Sequence, residues 1–371
     1  MIKIIPVSKP KITLADAKAV YKVVKKGWVS SSGVEILNFE SKISKLLNRK
    51  FAVSVSNGTA ALEIAIKTLN LKSKSEIIIP TFNIISAAIA VVKNNLRPVL
   101  VDSDPKNWNM CVKDFKNKIT KNTKAVIVTH MYGFPCDMDK IISICKKNKI
   151  IIIEDAAEMV GQTYKGKPCG SFGEISIISL YANKQITAGE GGVILTNKKK
   201  IFEKACSLRN LSFGKHNRFN HDDIGWNYRF TNMQAALGLS QLKRIKSIVN
   251  KKREIGKYYY NQFKKNSNIF VQPPIFNNEK NIYWIFGILI INKKFKKKQI
   301  IKKLLKIGIQ CRDFFWPMHK QKIFIKKNVF KDNNFPIADF LSKNGFYIPV
   351  GINIKKKEME YVAKSINKIF L

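Results

Sequence analysis

The chain has 371 residues, 45% of them hydrophobic, with 67 lysines and arginines against 25 acids and a formal charge of +42. The length argues for two domains rather than one, and the apolar content excludes a disordered chain. The charge admits a nucleic-acid or anionic-surface partner. However, the lysines run from end to end among abundant Ile and Asn, as in Lys198-Lys199-Lys200 and Lys296-Lys297-Lys298. That spread fits compositional bias better than a clustered footprint, so neither a nucleic-acid nor a membrane partner is expected.

Taken in chain order, short apolar runs alternate with amphipathic stretches. Strands are expected at 51–55, 77–79 (ending at Pro80), 99–101, 125–129, 150–153 and 175–180, and helices at 59–69, 84–92 and 140–148. Strand–helix alternation with near-continuous apolar strands predicts a parallel sheet covered on both faces. After about residue 245 the texture changes. A long helix at 241–263, a strand at 285–291, a basic helix at 298–306 and a last helix at 355–369 predict a smaller α+β domain. The expected division is 1–245 for a large domain and 246–371 for a small one.

Six cysteines occur without a C-x-x-C pair, which indicates neither a zinc ribbon nor a redox dithiol. Reduced thiols point to a cytoplasmic protein. The opening MIKIIPVSKP lacks the long apolar stretch of a secretory signal, and the run 284–291 is too short to span a bilayer. His216 and His221 share a polar loop without a third ligand, so no metal is expected.

Ligands of parallel sheets bind beyond the carboxyl ends of the strands, where Ser56, Phe82, Asp155 and Lys184 all fall. A buried lysine such as Lys184 loses its charge readily and is a good imine former. The glycines around Glu190 would let backbone approach a flat ligand. Ser56-Asn57-Gly58-Thr59 precedes a helix; it reads as an ordinary N-cap or as a phosphate cradle. Asp155, ending the most apolar strand, needs a cationic partner or caps the next helix; a pyridinium nitrogen would serve. Phe82 could stack on a ring or sit in the core, and Ser179 could donate to a phosphate or satisfy its own strand. Together these are the parts of a pyridoxal 5'-phosphate site.

The chain also resembles the fold-type-I, pyridoxal-phosphate-dependent nucleotide-sugar aminotransferases over nearly its whole length. The resemblance rests on residues 27–33 (GWVSSSG), 56–62 (SNGTAAL), 80–82 (PTF), 154–158 (EDAAE), 170–173 (GSFG), 183–192, 225–229 (GWNYR) and 234–236 (QAA). Residues 312–319 (RDFFWPMH) and 336–338 (PIA) are most similar to the perosamine synthase branch, which aminates C4 of a GDP-linked 4-keto-6-deoxy sugar for surface polysaccharides. The family's fold, a mostly parallel seven-stranded sheet with a smaller C-terminal domain, is thereby implied.

So are residue roles. Lys184 would carry the cofactor as an imine and shuttle the proton. Asp155 would pair with the ring nitrogen, and Gly58, Thr59 and Ser179 would hold the phosphate. Phe82 would stack on the ring, with Glu158 on its hydroxyl side. Asn227 or Arg229 would reach the phosphate in the partner subunit of a homodimer. Trp28, Ser31 and His319 would lie near the sugar. L-glutamate is the implied amino donor, with the pyridoxamine form of the cofactor between the half-reactions. Ala188, Leu180 and Asp313 depart from commoner family residues, Thr, Phe and Pro. Three alternatives remain: amination of C3 or of a cyclitol, a dehydratase (whose family members carry His in place of the lysine), and a cofactor-bound regulator or nucleic-acid binder.

Overall fold

The apolar runs pair into the expected sheet because each is buried on both faces. The computed structural model describes residues 4–214, 217–330, 332 and 334–371; the possible ligand His216 lies outside them. The larger sheet holds β1 (Phe51–Val55), β2 (Glu76–Pro80), β3 (Arg97–Val101), β4 (Thr123–Thr129), β5 (Ile151–Asp155), β6 (Ile175–Ser179) and β7 (Gly192–Thr196). Their order is β1-β7-β6-β5-β4-β2-β3. Strands β6, β5, β4, β2 and β3 pair in parallel, whereas β7 runs antiparallel to both β6 and β1.

Strand β7 is absent from the sequence expectation. After Lys184 the chain turns back through Gly189 and Gly191, whose φ values are 83° and 151°. Val193, Ile194 and Leu195 are thereby buried. Gly192 then lies so close to the loop before the next helix that an added Cβ would stand 2.4 Å from the Asn57 carbonyl oxygen. The close backbone approach expected of these glycines is here an approach to the chain itself.

Helices α1 (Leu14–Lys25), α2 (Val34–Leu46), α3 (Gly58–Thr68), α4 (Ser86–Lys93), α5 (Met138–Asn148), α6 (Asn232–Leu242) and α7 (Ile245–Phe263) surround the sheet and lead out of it. The single helix expected at 241–263 is two. Arg244 leaves helical geometry at φ −109°, ψ 7°, and both it and Gln241 bond the buried Asp16 carboxylate. Successive side chains point to opposite, covered faces along each strand. Ile153 packs in the cluster that includes Ala60, Ala87 and Trp284, while Ile152 packs with Phe39, Leu239 and Val249 on the other side.

The smaller sheet is antiparallel, with β8 (Ile269–Val271), β9 (Phe286–Ile290), β10 (Arg312–Asp313) and β11 (Gly345–Ile348) in the order β8-β9-β11-β10. It is covered by α8 (Lys297–Lys306) and α9 (Lys356–Ile369). Helix α9 buries Met359, Val362, Ala363 and Ile366, the spacing of one helical face. Ile5 belongs to this core and its N–H bonds the Gly308 carbonyl at 2.8 Å. We therefore propose a division near residue 245 that returns residues 4–9 to the C-terminal unit. Among the described residues no helix is long and apolar enough to cross a membrane.

Candidate active site

Beyond the carboxyl ends of β5 and β6 opens a cavity of about 360 Å³. Its first wall is the start of α3. Asn57 caps the helix, its side chain accepting from the Ala60 N–H at 2.8 Å. That leaves the earlier N–H groups, at Gly58 and Thr59, without intrahelical partners at the positive end of the helix dipole. The Thr59 and Ser86 hydroxyls stand 2.8 Å apart and Ser179 completes the rim. A Cβ at residue 58 would lie 3.3 Å from Cβ of Ser179, so glycine keeps this cradle open.

The second wall is carboxylate. Asp155 is 2% exposed. It accepts from the Ala157 N–H at 3.1 Å and, at 3.4 Å, from Thr129, whose hydroxyl accepts in turn from Asn83. Burial raises its pKa, because this thin shell compensates the charge poorly. Glu158 accepts from the Tyr132 N–H at 2.8 Å and is also pushed up by burial.

Lys184 lies opposite them. Its Nζ is 3.8 Å from Glu158 Oε1, beyond hydrogen-bond length, and 3.8 Å from the centre of the Trp284 ring. Burial lowers its pKa, while Glu158 and Asp155 pull it the other way. The loop carrying it is pinned: the Lys184 N–H donates to the Tyr181 carbonyl at 2.9 Å and Thr187 donates to the Leu180 carbonyl at 3.0 Å. The donor set fits a flat phosphorylated aldehyde with a cationic ring. It offers free helix N–H groups with hydroxyls, a carboxylate lacking a bonded cation, and an amine whose charge burial disfavours. The chain's positive excess does not gather here: the lining has Asp155, Glu158 and Glu190 against Lys184 and Arg312.

The expected residues divide in two. Gly58, Thr59, Asp155, Glu158, Ser179 and Lys184 line one cavity. Phe82 does not. It is wholly buried, edge-on to Tyr132 with centroids 5.6 Å apart. Ile84, 45% exposed, faces the cavity instead, because β2 ends at Pro80 and its two-residue alternation stops there. His319 is also outside the lining. It is buried between Thr81 Oγ1 at 2.8 Å and Asp339 Oδ1 at 2.9 Å, which uses both ring nitrogens. His221 bonds the Leu211 carbonyl, and among the described residues no metal-holding cluster forms.

Trp28, Ser31, Asn227 and Arg229 lie outside this chain's cavity too. Asn232 ties their two segments together, its side chain donating to the Trp28 carbonyl at 2.8 Å and its N–H to the Ser30 carbonyl at 2.6 Å. Arg229 bonds Asn210, and Trp28 is 66% exposed. Sequence reasoning missed Asn83, Ser86, Trp284, Arg312, Phe315 and Tyr347 in the lining. Ser86, as a hydroxyl opening α4, carried a local signal; Arg312 and Phe315 lie in the segment 312–319 that carried the resemblance but no assigned role, and Trp284 and Tyr347 carried no signal.

Residues 10–367 match the family described as the DegT/DnrJ/EryC1/StrS aminotransferase family. The chain is 35% identical to a GDP-perosamine synthase of Escherichia coli O157:H7, over 99% of each chain. Among solved structures it is similar to PseC of Helicobacter pylori, an aminotransferase involved in the biosynthesis of pseudoaminic acid, with TM-score 0.94, 26% identity and 99% of each chain covered. It is similar as well to a GDP-4-keto-6-deoxymannose-3-dehydratase holding a trapped PLP-glutamate geminal diamine, with TM-score 0.91, 25% identity, and 97% and 99% covered. A cavity built on a buried lysine, a buried aspartate and a helix N-terminus, in a chain matched nearly end to end, leads to one conclusion: this chain belongs to the DegT/DnrJ/EryC1/StrS aminotransferase family.

Proposed function

We propose that the chain transfers an amino group from L-glutamate to C4 of a nucleotide-linked 4-keto-6-deoxy sugar, giving a perosamine-type product. The observation that carries this reading is Lys184, a buried amine facing Asp155 and Glu158 in a cavity with a phosphate cradle. Pyridoxal phosphate, when bound, supplies an aldehyde that joins reversibly to amines and a ring that takes up the electrons left by proton removal.

This chain's residues do the rest. The Gly58 and Thr59 N–H groups, with the hydroxyls of Thr59, Ser86 and Ser179, hold the phosphate. Asp155 keeps the ring nitrogen protonated, which gives its buried charge the cation it lacks. Glu158 and Ile84, which line the same cavity, would flank the ring, the carboxylate toward its hydroxyl and Ile84 against a face. Lys184, disfavoured as a cation by burial, takes the donor's α-proton at Nζ in the first half-reaction and, in the second, delivers a proton from Nζ to the sugar carbon. Arg312 is the cavity's second cation and takes a carboxylate of the donor.

We place Trp28, Ser31, Asn227 and Arg229 in the cavity of a partner subunit. The exposure of Trp28 and Asn227 and the Asn232 ties that hold the two segments side by side support a homodimer with shared sites. His319 acts behind this surface, through Thr81, rather than on the sugar. The test is a panel of keto-sugar nucleotides, 4-keto and 3-keto, with glutamate, reading 2-oxoglutarate and product mass. Amination of GDP-4-keto-6-deoxymannose is the expected outcome; amination of 3-keto substrates alone would refute the C4 assignment.

A further inference from the structure

Helix α7 contributes a lysine for which the proposed chemistry has no use. Lys252 is 3% exposed, and its Nζ donates to the Trp284 carbonyl at 2.9 Å. Burial pulls its pKa down to about 7. A buried amine with one neutral acceptor is a poor stabiliser of a fold, so its location requires another reason.

The carbonyl it holds belongs to the tryptophan that covers Lys184. Trp284 is fixed at both ends: Lys252 takes its carbonyl, and its indole Nε1 donates to the Asn183 carbonyl at 3.1 Å. The ring face meets Lys184 Nζ at 3.8 Å. The preceding residue, Tyr283, has φ 49°, a conformation disfavoured for a bulky residue unless its surroundings impose it. They do: the Tyr283 N–H donates to Asn281 at 2.8 Å and its hydroxyl to the Gln272 carbonyl. One turn after Lys252, Gly256 lets α7 lie against Tyr283, where a Cβ would stand 2.2 Å from the ring. Lys252 and Lys184 also line one small gap together with Asn183 and Gln185.

We propose that Lys252 is a positioning residue for the transamination, holding the Trp284 indole against the reactive Lys184 amine and so coupling the smaller domain to the catalytic loop. This rests on the reading of Lys184 given above. Misplacement of a reacting group by about 1 Å can slow a reaction up to about a hundredfold.

The test uses the full chain freed of cofactor and mixed with pyridoxal phosphate. It follows the rate at which the Lys184 adduct forms, by absorbance and by borohydride trapping with peptide mapping. K252M should slow adduct formation about tenfold, and K252R should stay within about threefold of the parent. W284A should slow it comparably, and K252M added to W284A should change it by less than about twofold. In turnover, kcat should fall in K252M while the KM for the keto sugar holds. Should K252M fail to fold, K252Q, which is shorter and loses the bond to the Trp284 carbonyl, takes its place in the same comparison with W284A, with the same outcomes for and against. Adduct formation in K252M at the parental rate, or independent slowing by the two changes, overturns the proposal. A parent chain that forms no adduct at Lys184 overturns the function reading instead.

Discussion

Two neighbouring carboxylates end strand β5, and they live differently. Glu154 is fully buried and accepts five hydrogen bonds, from His130 at 3.0 Å, Gly170 at 2.5 Å, Phe172 at 2.7 Å, Gly173 at 3.1 Å and Ser176 at 3.0 Å. Arg49 lies 3.9 Å away and is tied to the Gly170 and Gly173 carbonyls. One residue on, and on the opposite face, Asp155 has two long bonds and a cavity. A saturated buried charge holds a loop in place; an undersupplied one leaves interaction energy for a ligand. The pKa directions agree. Burial alone would raise Glu154, yet the His130 hydrogen bond and charge, with the loop N–H groups, hold it below the usual value. Burial wins at Asp155 and raises it.

The contrast can be broken most strongly at the reacting centre. Lys184→Ala should cut turnover by at least about 10,000-fold with thermal stability retained, read by 2-oxoglutarate release. Next comes the carboxylate pair itself. Glu154→Gln should destabilise by about 3–5 kcal/mol in denaturant melts, since Arg49 keeps its charge without a counterion, while activity per folded molecule persists. Asp155→Asn should do the reverse, costing about a hundred- to a thousandfold in kcat with stability unchanged or slightly higher.

Smaller effects sharpen the picture. Arg312→Met removes a charge-assisted hydrogen bond of about 1.5–3 kcal/mol, so the KM for glutamate should rise about 10- to 100-fold while that for the keto sugar moves little. The smallest effect is in pH dependence. A carboxylate depressed in the fold, as Glu154 is, adds stability above its unfolded value and loses it as pH falls; the unfolded reference is 4.5. Asp155, raised in the fold, adds stability below 3.8 and loses it as pH climbs through its folded value. Glu154→Gln should therefore flatten the acid limb of the stability curve, and Asp155→Asn should remove the loss on raising pH, both measured as denaturant midpoints between about pH 3 and 6.

Much of this architecture is legible in the amino-acid sequence alone. Strands β1 to β6 announce themselves as apolar runs because both faces of the largely parallel sheet, including its antiparallel edge strand β1, are covered. The cradle, Asp155 and Lys184 follow at strand ends, where such sheets bind ligands. Periodicity stops helping past a strand end, which is why Ile84 rather than Phe82 faces the cavity. Strand β7 is hidden by glycines that read equally well as a ligand loop. The break at Arg244 depends on Asp16, more than two hundred residues away in sequence. Trp284 and Tyr347 reach the site only through docking of the smaller domain, which no local pattern encodes; Arg312 stands in a segment that carries the resemblance, but its place in the cavity follows only from that docking.

On the proposed function, the ε-amine of residue 184 bonds covalently to a vitamin B6 aldehyde. Borohydride reduction of the cofactor-saturated protein followed by peptide mass mapping tests it most directly. A single phosphopyridoxyl adduct on the peptide containing Lys184, absent from Lys184→Ala, is the expected result. An unmodified Lys184 in a saturated preparation, or an adduct retained in the alanine variant, would contradict it.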